Sequence, residues 1–95
     1  MKIKELFSDR SKWIQHDMSV DYRRRFTAPN SNDACCWCLV GAIIKCYPED
    51  LIQQGRVMER IRLKIGNDYG PIYKWNDAIG RTFEDVKQLV EELDI

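Results

Sequence analysis

The sequence predicts a mainly α-helical single domain in which about four short helices surround a buried central helix, with a small β-hairpin that makes the fold α+β. Three observations lead to this fold class. A chain of 95 residues can bury one hydrophobic core, so residues 1–95 form one domain. Apolar residues make up 44% of the chain, which argues against disorder. The segment Ala34–Tyr47 carries a single charge, Lys45, and is typical of a helix packed on nearly all sides.

The N-terminal part combines a short helix with extended chain. Residues Lys2–Ile14 place apolar side chains at roughly helical spacing, although the polar run Ser8–Ser11 can interrupt the pattern. From Trp13 to Phe26, β-branched and aromatic residues predict an extended excursion or a small hairpin. Residues Thr27–Asn32 have the composition of a loop, and the central helix follows them.

The helices after this loop are marked by glycine, proline and capping residues. Gly41 and Ala42 remove side-chain bulk in the central helix, so we expect another element to cross it closely there. Pro48 opens a second helix that runs to about Ile65 and ends at Gly66. Its predicted apolar stripe consists of Leu51, Met58, Ile61 and Ile65.

The last helix carries the clearest local signal in the chain. Thr82 followed by Asp85 approximates a capping box, with aspartate in place of the usual Glu or Gln. The apolar stripe that follows is Phe83, Val86, Leu89, Val90 and Leu93. The segment Ile72–Asp77 between the two helices is too short to assign, and Gly80 separates it from the last helix.

Charge balance narrows the classes of function. Fifteen Lys and Arg residues balance fifteen Asp and Glu residues, so the chain has no overall field that would draw it to nucleic acid or to an anionic membrane. Residues Arg56–Lys64 are mainly basic and Glu84–Asp94 mainly acidic, which predicts two helices with complementary exposed edges. The sequence shows no membrane segment or secretory leader, so we expect a cytoplasmic protein.

Four cysteines lie within twelve residues of one another: Cys35, Cys36, Cys38 and Cys46. A secreted disulfide framework spreads its cysteines along the chain, so we expect reduced thiols. All four fall on the predicted central helix, and no second Cys or His cluster completes a tetrahedral site. The sequence therefore predicts no metal and no cofactor, and the cysteines are interpreted as buried small hydrophobes.

A catalytic interpretation of the cysteines stays open as an alternative. Cys35 or Cys36 would lie in the first turn of the central helix, where backbone amides stabilise a thiolate, and His16 could act as the base. This would make the protein a cysteine-dependent hydrolase or transferase. The flanking Gln15 and Asp17 indicate that His16 is on the surface, so the alternative ranks second.

Two further motifs have both a functional and an ordinary interpretation. Arg23–Arg25, flanked by Tyr22 and Phe26, could contact phosphates while the aromatic rings stack on bases of RNA or single-stranded DNA. The zero net charge favours a solvated loop instead, so nucleic acid is not the expected partner. The run Trp75–Asp77 could form a polar site, although an Asx turn ahead of the last helix is the ordinary explanation.

Two blocks of the sequence carry a family resemblance. The run Trp37–Ala42 reads Trp-Cys-Leu-Val-Gly-Ala, and it is followed by Trp-Asn-Asp at Trp75–Asp77, Gly-Arg-Thr at Gly80–Thr82 and Asp-Val at Asp85–Val86. With Trp13–Gln15, these motifs resemble an uncharacterised family of small bacterial and phage proteins, a domain of unknown function. The blocks cover about the C-terminal two thirds of the chain. The resemblance implies that one structural scheme includes Cys38, Gly41, Ala42, Trp75, Asn76, Asp77 and Thr82.

The residues and the resemblance together favour a non-enzymatic protein-binding module. Its size and the resemblance fit a regulatory or phage-encoded inhibitor that occupies the surface of a protein partner, in the cytoplasm of a bacterium or of the host cell if phage-encoded. The resemblance includes neither His16 nor the arginine run, which weakens the two alternatives. The predicted contact residues are aromatic or basic: Tyr22, Arg24, Phe26, Tyr69, Tyr73 and Trp75.

Overall fold

The computed structural model describes residues 1–66 and 70–95. In this part of the chain, the elements in order are α1 (Ile3–Leu6), a 3₁₀ helix (Arg10–Lys12), β1 (Ser19–Val20), β2 (Cys36–Trp37), α2 (Leu39–Cys46), α3 (Leu51–Ile65), α4 (Ile72–Asn76) and α5 (Phe83–Leu93). The predicted fold class is confirmed, because helices dominate and a two-stranded antiparallel sheet completes an α+β domain. No described helix is long and apolar enough to cross a membrane.

The central helix α2 is shorter than predicted. It begins at Leu39, and Cys36–Trp37 before it is a strand that pairs antiparallel with β1, with Val20 opposite Cys36. The helical prediction for Ala34–Cys38 is therefore wrong. These residues extend because their amides bond to the segment before them: Cys35 N–H donates to the Val20 carbonyl at 2.9 Å and Cys38 N–H to the Met18 carbonyl at 3.0 Å.

The predicted extended excursion between Trp13 and Phe26 is present, but most of its pairing lies outside that segment. β1 pairs with β2 rather than with a neighbouring strand, and only an isolated bridge joins Val20 to Phe26. The predicted small hairpin is therefore limited to this bridge, and the main pairing of β1 is with β2. Residues 27–32 contain no helix or strand and belong to the connection between the two strands, as their composition predicted.

Helix α2 packs against α1, α3 and α4. Its side chains Leu39, Ala42 and Ile43 are buried. The predicted close crossing at Gly41 is confirmed, since a Cβ atom at this position would overlap the backbone carbonyl of Met18, just before β1. The chain therefore crosses α2 at the one residue that leaves room for it.

The other helices follow their predicted signals with three corrections. Helix α3 begins at Leu51, after its N-cap Asp50, and not at Pro48. The first helix ends at Leu6 instead of Ile14, because the polar run interrupts it and Asp9 caps the short 3₁₀ helix through Ser11 N–H. In α3, Leu51 is 77% exposed and does not belong to the apolar stripe, whereas Val57 is buried. The first turn of α3 lies beyond the core.

Helix α5 and the C-terminus close the domain against α1. Thr82 and Asp85 form the predicted capping box of α5. The Lys64–Glu92 ion pair, at 3.1 Å, joins the edges of α3 and α5 that were predicted to be complementary. Ile95 is buried and its carbonyl accepts from Lys4 N–H at 2.9 Å, while Asp94 pairs with Lys2 and Lys4.

The close crossing at Gly41 predicts opposite effects for two glycine substitutions. Gly41→Ala should lower the free energy of unfolding by about 1–3 kcal/mol, because the Met18 backbone must move. Gly55→Ala, on the exposed face of α3 with no atom near the added carbon, should raise it by about 1 kcal/mol. Urea unfolding of both variants measures the difference, and a stabilising Gly41→Ala would contradict the described crossing.

The C-terminal closure predicts a pH dependence. Hydrogen bonds from Lys4 and Lys2 lower the pKa of the Asp94 carboxyl to about 2 from an ordinary 3.8. A depressed pKa stabilises the fold above 3.8, and this contribution is lost as the pH falls through about 2. Asp94→Asn keeps a residue type that tolerates the positive φ of this position, and it should lower stability at pH 7.

The measurement is urea unfolding of wild type and Asp94→Asn from pH 7 toward pH 2. The gap between the two proteins should shrink as the pH falls. Asp33→Asn, at an exposed loop carboxylate, serves as the matched control and should show no such convergence. A gap that stays constant with pH would assign the effect of Asp94→Asn to something other than its charge.

Candidate functional site

The side chain of Asn76 is fully buried and all of its hydrogen-bonding groups are used. Its Oδ1 accepts from Trp13 Nε1 at 2.7 Å and from Leu39 N–H at 3.0 Å. Its Nδ2 donates to the Ile14 carbonyl at 3.1 Å and to Asp77 Oδ1 at 2.8 Å. One amide therefore joins the N-terminal segment, the first turn of α2 and the end of α4.

The segment that contains His16 is fixed to the same place by two further residues. Gln15 Nε2 donates to the carbonyls of Asn76 and Ala78, at 3.0 and 3.2 Å. Asp77 Oδ1 accepts from His16 N–H at 2.8 Å. Asn76 and Asp77 thus make long-range bonds, and the local Asx turn is not the explanation of this motif.

The shared scheme implied by the resemblance is visible around Asn76. Cys38 is the N-cap of α2, and its sulfur accepts from Gly41 N–H at 3.3 Å, next to the Leu39 amide that Asn76 holds. Trp13 and Gln15, from the N-terminal motif Trp13–Gln15, contact Asn76 directly. The motifs that resemble the family are therefore joined through hydrogen bonds that link distant parts of the chain.

A cavity of about 210 Å³ lies where residues 16–18 meet the start of α2 and the helix α4. Tyr73 is half exposed at its edge, and Cys38 and Asp77 belong to its wall. We call this cavity the cleft. It is lined by His16, Asp17, Met18, Cys38, Val40, Tyr73 and Asp77.

Two of the predicted contact residues do not contribute to an exposed surface that the structure describes. Trp75 is only 7% exposed, because the guanidinium of Arg81 stacks over its ring at 3.9 Å and α4 turns the ring toward the core. Tyr69 lies outside the described residues. Tyr73 lies at the cleft, apart in sequence from the other three predicted residues.

Tyr22, Arg24 and Phe26 lie together on one tight turn, which we call the docking turn and define as residues 21–26. Tyr22 is 76% exposed and Phe26 is 71% exposed. Arg24 has a positive φ of 64°, which is uncommon for a residue other than glycine. The turn therefore holds two aromatic rings out from the domain, and the exposed Arg24 reaches back with its Nη1 to Cys36 Sγ at 3.7 Å.

Asp21 organises the docking turn from its base. Its carboxylate is nearly buried and accepts from Arg23 N–H at 2.9 Å, Arg25 N–H at 3.0 Å and Arg25 Nε at 3.1 Å. The backbone bond from Arg25 is the largest cause that lowers the pKa of the Asp21 carboxyl, followed by those from Arg23 and the guanidinium. Asp21 was missed in the sequence, although an aspartate at the first position of a turn is a known signal.

The catalytic alternative required Cys35 or Cys36 in the first turn of a helix, and the structure places neither residue there. Cys35 and Cys36 lie at β2 and not in the first turn of a helix, so no helix amides activate them. Burial raises the pKa of the Cys36 thiol, and Cys36 contacts Ser11 and Arg24, whereas His16 lines the cleft with Cys38. Burial also raises the pKa of Cys38, and that of Cys46 to about 11. Burial therefore favours the protonated form of each of these thiols.

No metal site is formed by the described residues, in which no group of three or more His, Cys, Asp or Glu side chains converges. All four cysteines are free thiols. The predicted arginine run is exposed, but Asp21 offsets part of its charge.

The geometry defines a class of protein: a small, mainly helical α+β domain whose irregular segments are held in place by a buried asparagine. Within this class, the chain belongs to the family of unknown function DUF6197, whose model matches residues 2–93. This confirms the resemblance found in the sequence. The chain matches no curated protein and no solved structure.

The role of Asn76 predicts a large effect for a nearly isosteric change. Asn76→Asp removes both Nδ2 donors and places a carboxylate against Asp77 and the Ile14 carbonyl. We expect a loss of about 3 kcal/mol or more in the free energy of unfolding at pH 7. Part of the loss should be recovered at pH 4, where a protonated carboxyl can donate one hydrogen bond.

Thermal or urea unfolding at both pH values measures this effect. The control is Asn32→Asp in the exposed loop, which should change stability little. Equal stability of the two variants at pH 7 would mean that the buried amide does not hold the domain together.

Proposed function

We propose that this protein is a non-enzymatic protein-binding module that contacts its partner through the docking turn. The observation that carries the proposal is the presentation of Tyr22, Arg24 and Phe26 on a turn fixed by the Asp21 carboxylate. Tyrosine and arginine are enriched among the residues that dominate binding energy at protein interfaces. Exposed apolar patches with a polar rim commonly mark protein interaction sites.

The geometry of the turn supports binding rather than a solvated loop. The Asp21 carboxylate and the bond from Asp21 N–H to the Arg25 carbonyl, at 2.9 Å, fix both ends of the turn before any partner arrives. A preformed turn loses less conformational entropy on association, so more of its contact energy appears as affinity. The positive φ of Arg24 adds to this argument, since unusual backbone conformations are concentrated at functional sites.

The charges of the turn suggest the chemistry of the partner. Asp21 pairs with Arg25, whereas Arg23 stacks on Tyr22 and Arg24 extends toward Cys36. The surface is therefore basic and aromatic at once. It fits a protein surface with carboxylates around an apolar pocket, because arginine pairs with carboxylates in a bidentate manner.

A protein partner suits this surface better than a nucleic acid does. The net charge of the chain is zero, and a nearly buried carboxylate lies at the base of the arginine run. Both features oppose the accumulation of phosphate contacts on which single-strand binding depends. Occupation of a partner's surface in the cytoplasm, as a regulatory or phage-encoded inhibitor, is the form of this function that we propose.

The test is affinity capture from a lysate of the native host with the immobilised chain. The variant Tyr22→Ala/Arg24→Ala/Phe26→Ala should lose the captured protein. The matched control Leu51→Ala/Ile52→Ala/Leu63→Ala removes three side chains that are equally exposed, at 77%, 72% and 76%, on α3. This control should retain the partner.

Two results would contradict the proposal. Capture of the same proteins by wild type and by the docking-turn variant would exclude this turn as the binding site. Capture that nuclease treatment abolishes, together with retention of single-stranded RNA at low salt, would assign the arginine run to nucleic acid instead.

A further inference from the structure

The thiols of Cys35 and Cys36 converge at the entry to β2. Their Sγ atoms are 3.2 Å apart, although neighbouring residues of extended chain ordinarily point to opposite faces. Cys35 is partly exposed and Cys36 is buried. A reagent in solution therefore reaches the pair from the side of Cys35.

Cationic side chains surround the buried member of this pair. Arg24 Nη1 donates to Cys36 Sγ at 3.7 Å, and Cys36 donates to the Ser11 carbonyl at 3.3 Å. Burial and the neighbouring Cys35 thiol raise the pKa of Cys36, and the charges of Arg24 and Lys12 offset part of that rise. Sulfur is a soft ligand, and each thiol gives up its proton when it bonds to a soft metal or metalloid.

Because Cys35 and Cys36 are adjacent in the sequence, their geometry limits which ligand can join the two sulfurs. Adjacent Cα atoms are about 3.8 Å apart, which is shorter than the 4.4–6.8 Å that disulfides usually span, so a direct S–S bond fits poorly. Zinc needs four ligands, and among the described residues no group of three ligands is present. A single atom that bonds both sulfurs fits best, because the ring that it closes is larger than the ring closed by a direct S–S bond.

We propose that Cys35 and Cys36 form a chelating dithiol site for a trivalent arsenic compound. With a monosubstituted arsenical in its dihydroxy form, two As–O bonds break and two As–S bonds form. Each thiol proton leaves with a hydroxyl group as water, and the oxidation state of arsenic does not change. This site adjoins the docking turn through Arg24, but it does not depend on the proposed partner binding.

The experiment is titration of the reduced full-length chain with phenylarsine oxide, followed by intact mass and by a count of thiols that still react with a maleimide after unfolding. Wild type should bind one equivalent and lose two reactive thiols. Cys35→Ser and Cys36→Ser should each bind at least about tenfold more weakly, because the second bond is no longer intramolecular. Excess of a small dithiol should release the arsenical from wild type.

Cys38→Ser and Cys46→Ser are the matched controls, and each should still bind one equivalent. Unchanged binding by Cys35→Ser would overturn the proposal, as would loss of binding by Cys38→Ser, which would move the site to Cys36 and Cys38. Circular dichroism of each variant checks that the domain is folded. The double variant Tyr22→Ala/Phe26→Ala, which keeps Arg24 and its contact with Cys36, should bind the arsenical like wild type.

Discussion

The buried amide of Asn76 makes it possible for an apolar helix to begin inside the domain. The first amides of a helix have no partner within it, and in the interior no bulk water is present to bind them. Asn76 Oδ1 satisfies Leu39 N–H, and the Cys38 sulfur satisfies Gly41 N–H. Because these two acceptors are in place, the eight residues of α2 can pack against three other helices without leaving these amides unpaired.

The same amide also positions the segments around it. Trp13 and Ile14 bond to its two ends, which brings the chain before β1 across α2 at Gly41. The cleft forms where this crossing chain meets α4. The docking turn then follows β1, so its orientation depends on a strand that pairs with β2, just before α2. Surface loops that carry function commonly rest on a rigid scaffold of this kind.

The four cysteines show how one residue type takes different roles in neighbouring positions. Cys38 caps a helix, Cys46 packs at the far end of that helix, and Cys35 and Cys36 form a pair at the edge of the sheet. Because the four lie close together in the sequence, they could be taken for one cluster of thiols. The short strand β2 separates them in space, and this separation removes both the helix that would have activated a nucleophile and the convergence that zinc requires.

The sequence by itself determined the elements whose signals are local. The capping box at Thr82 and the end of α3 at Gly66 each act within a few positions of the chain, and both were confirmed. Only the tertiary structure decided where α2 begins, which strand pairs with β1 and which groups Asn76 binds. These features depend on hydrogen bonds between residues far apart in the chain, and an apolar run such as Ala34–Cys38 is equally compatible with helix and strand until its partner is known.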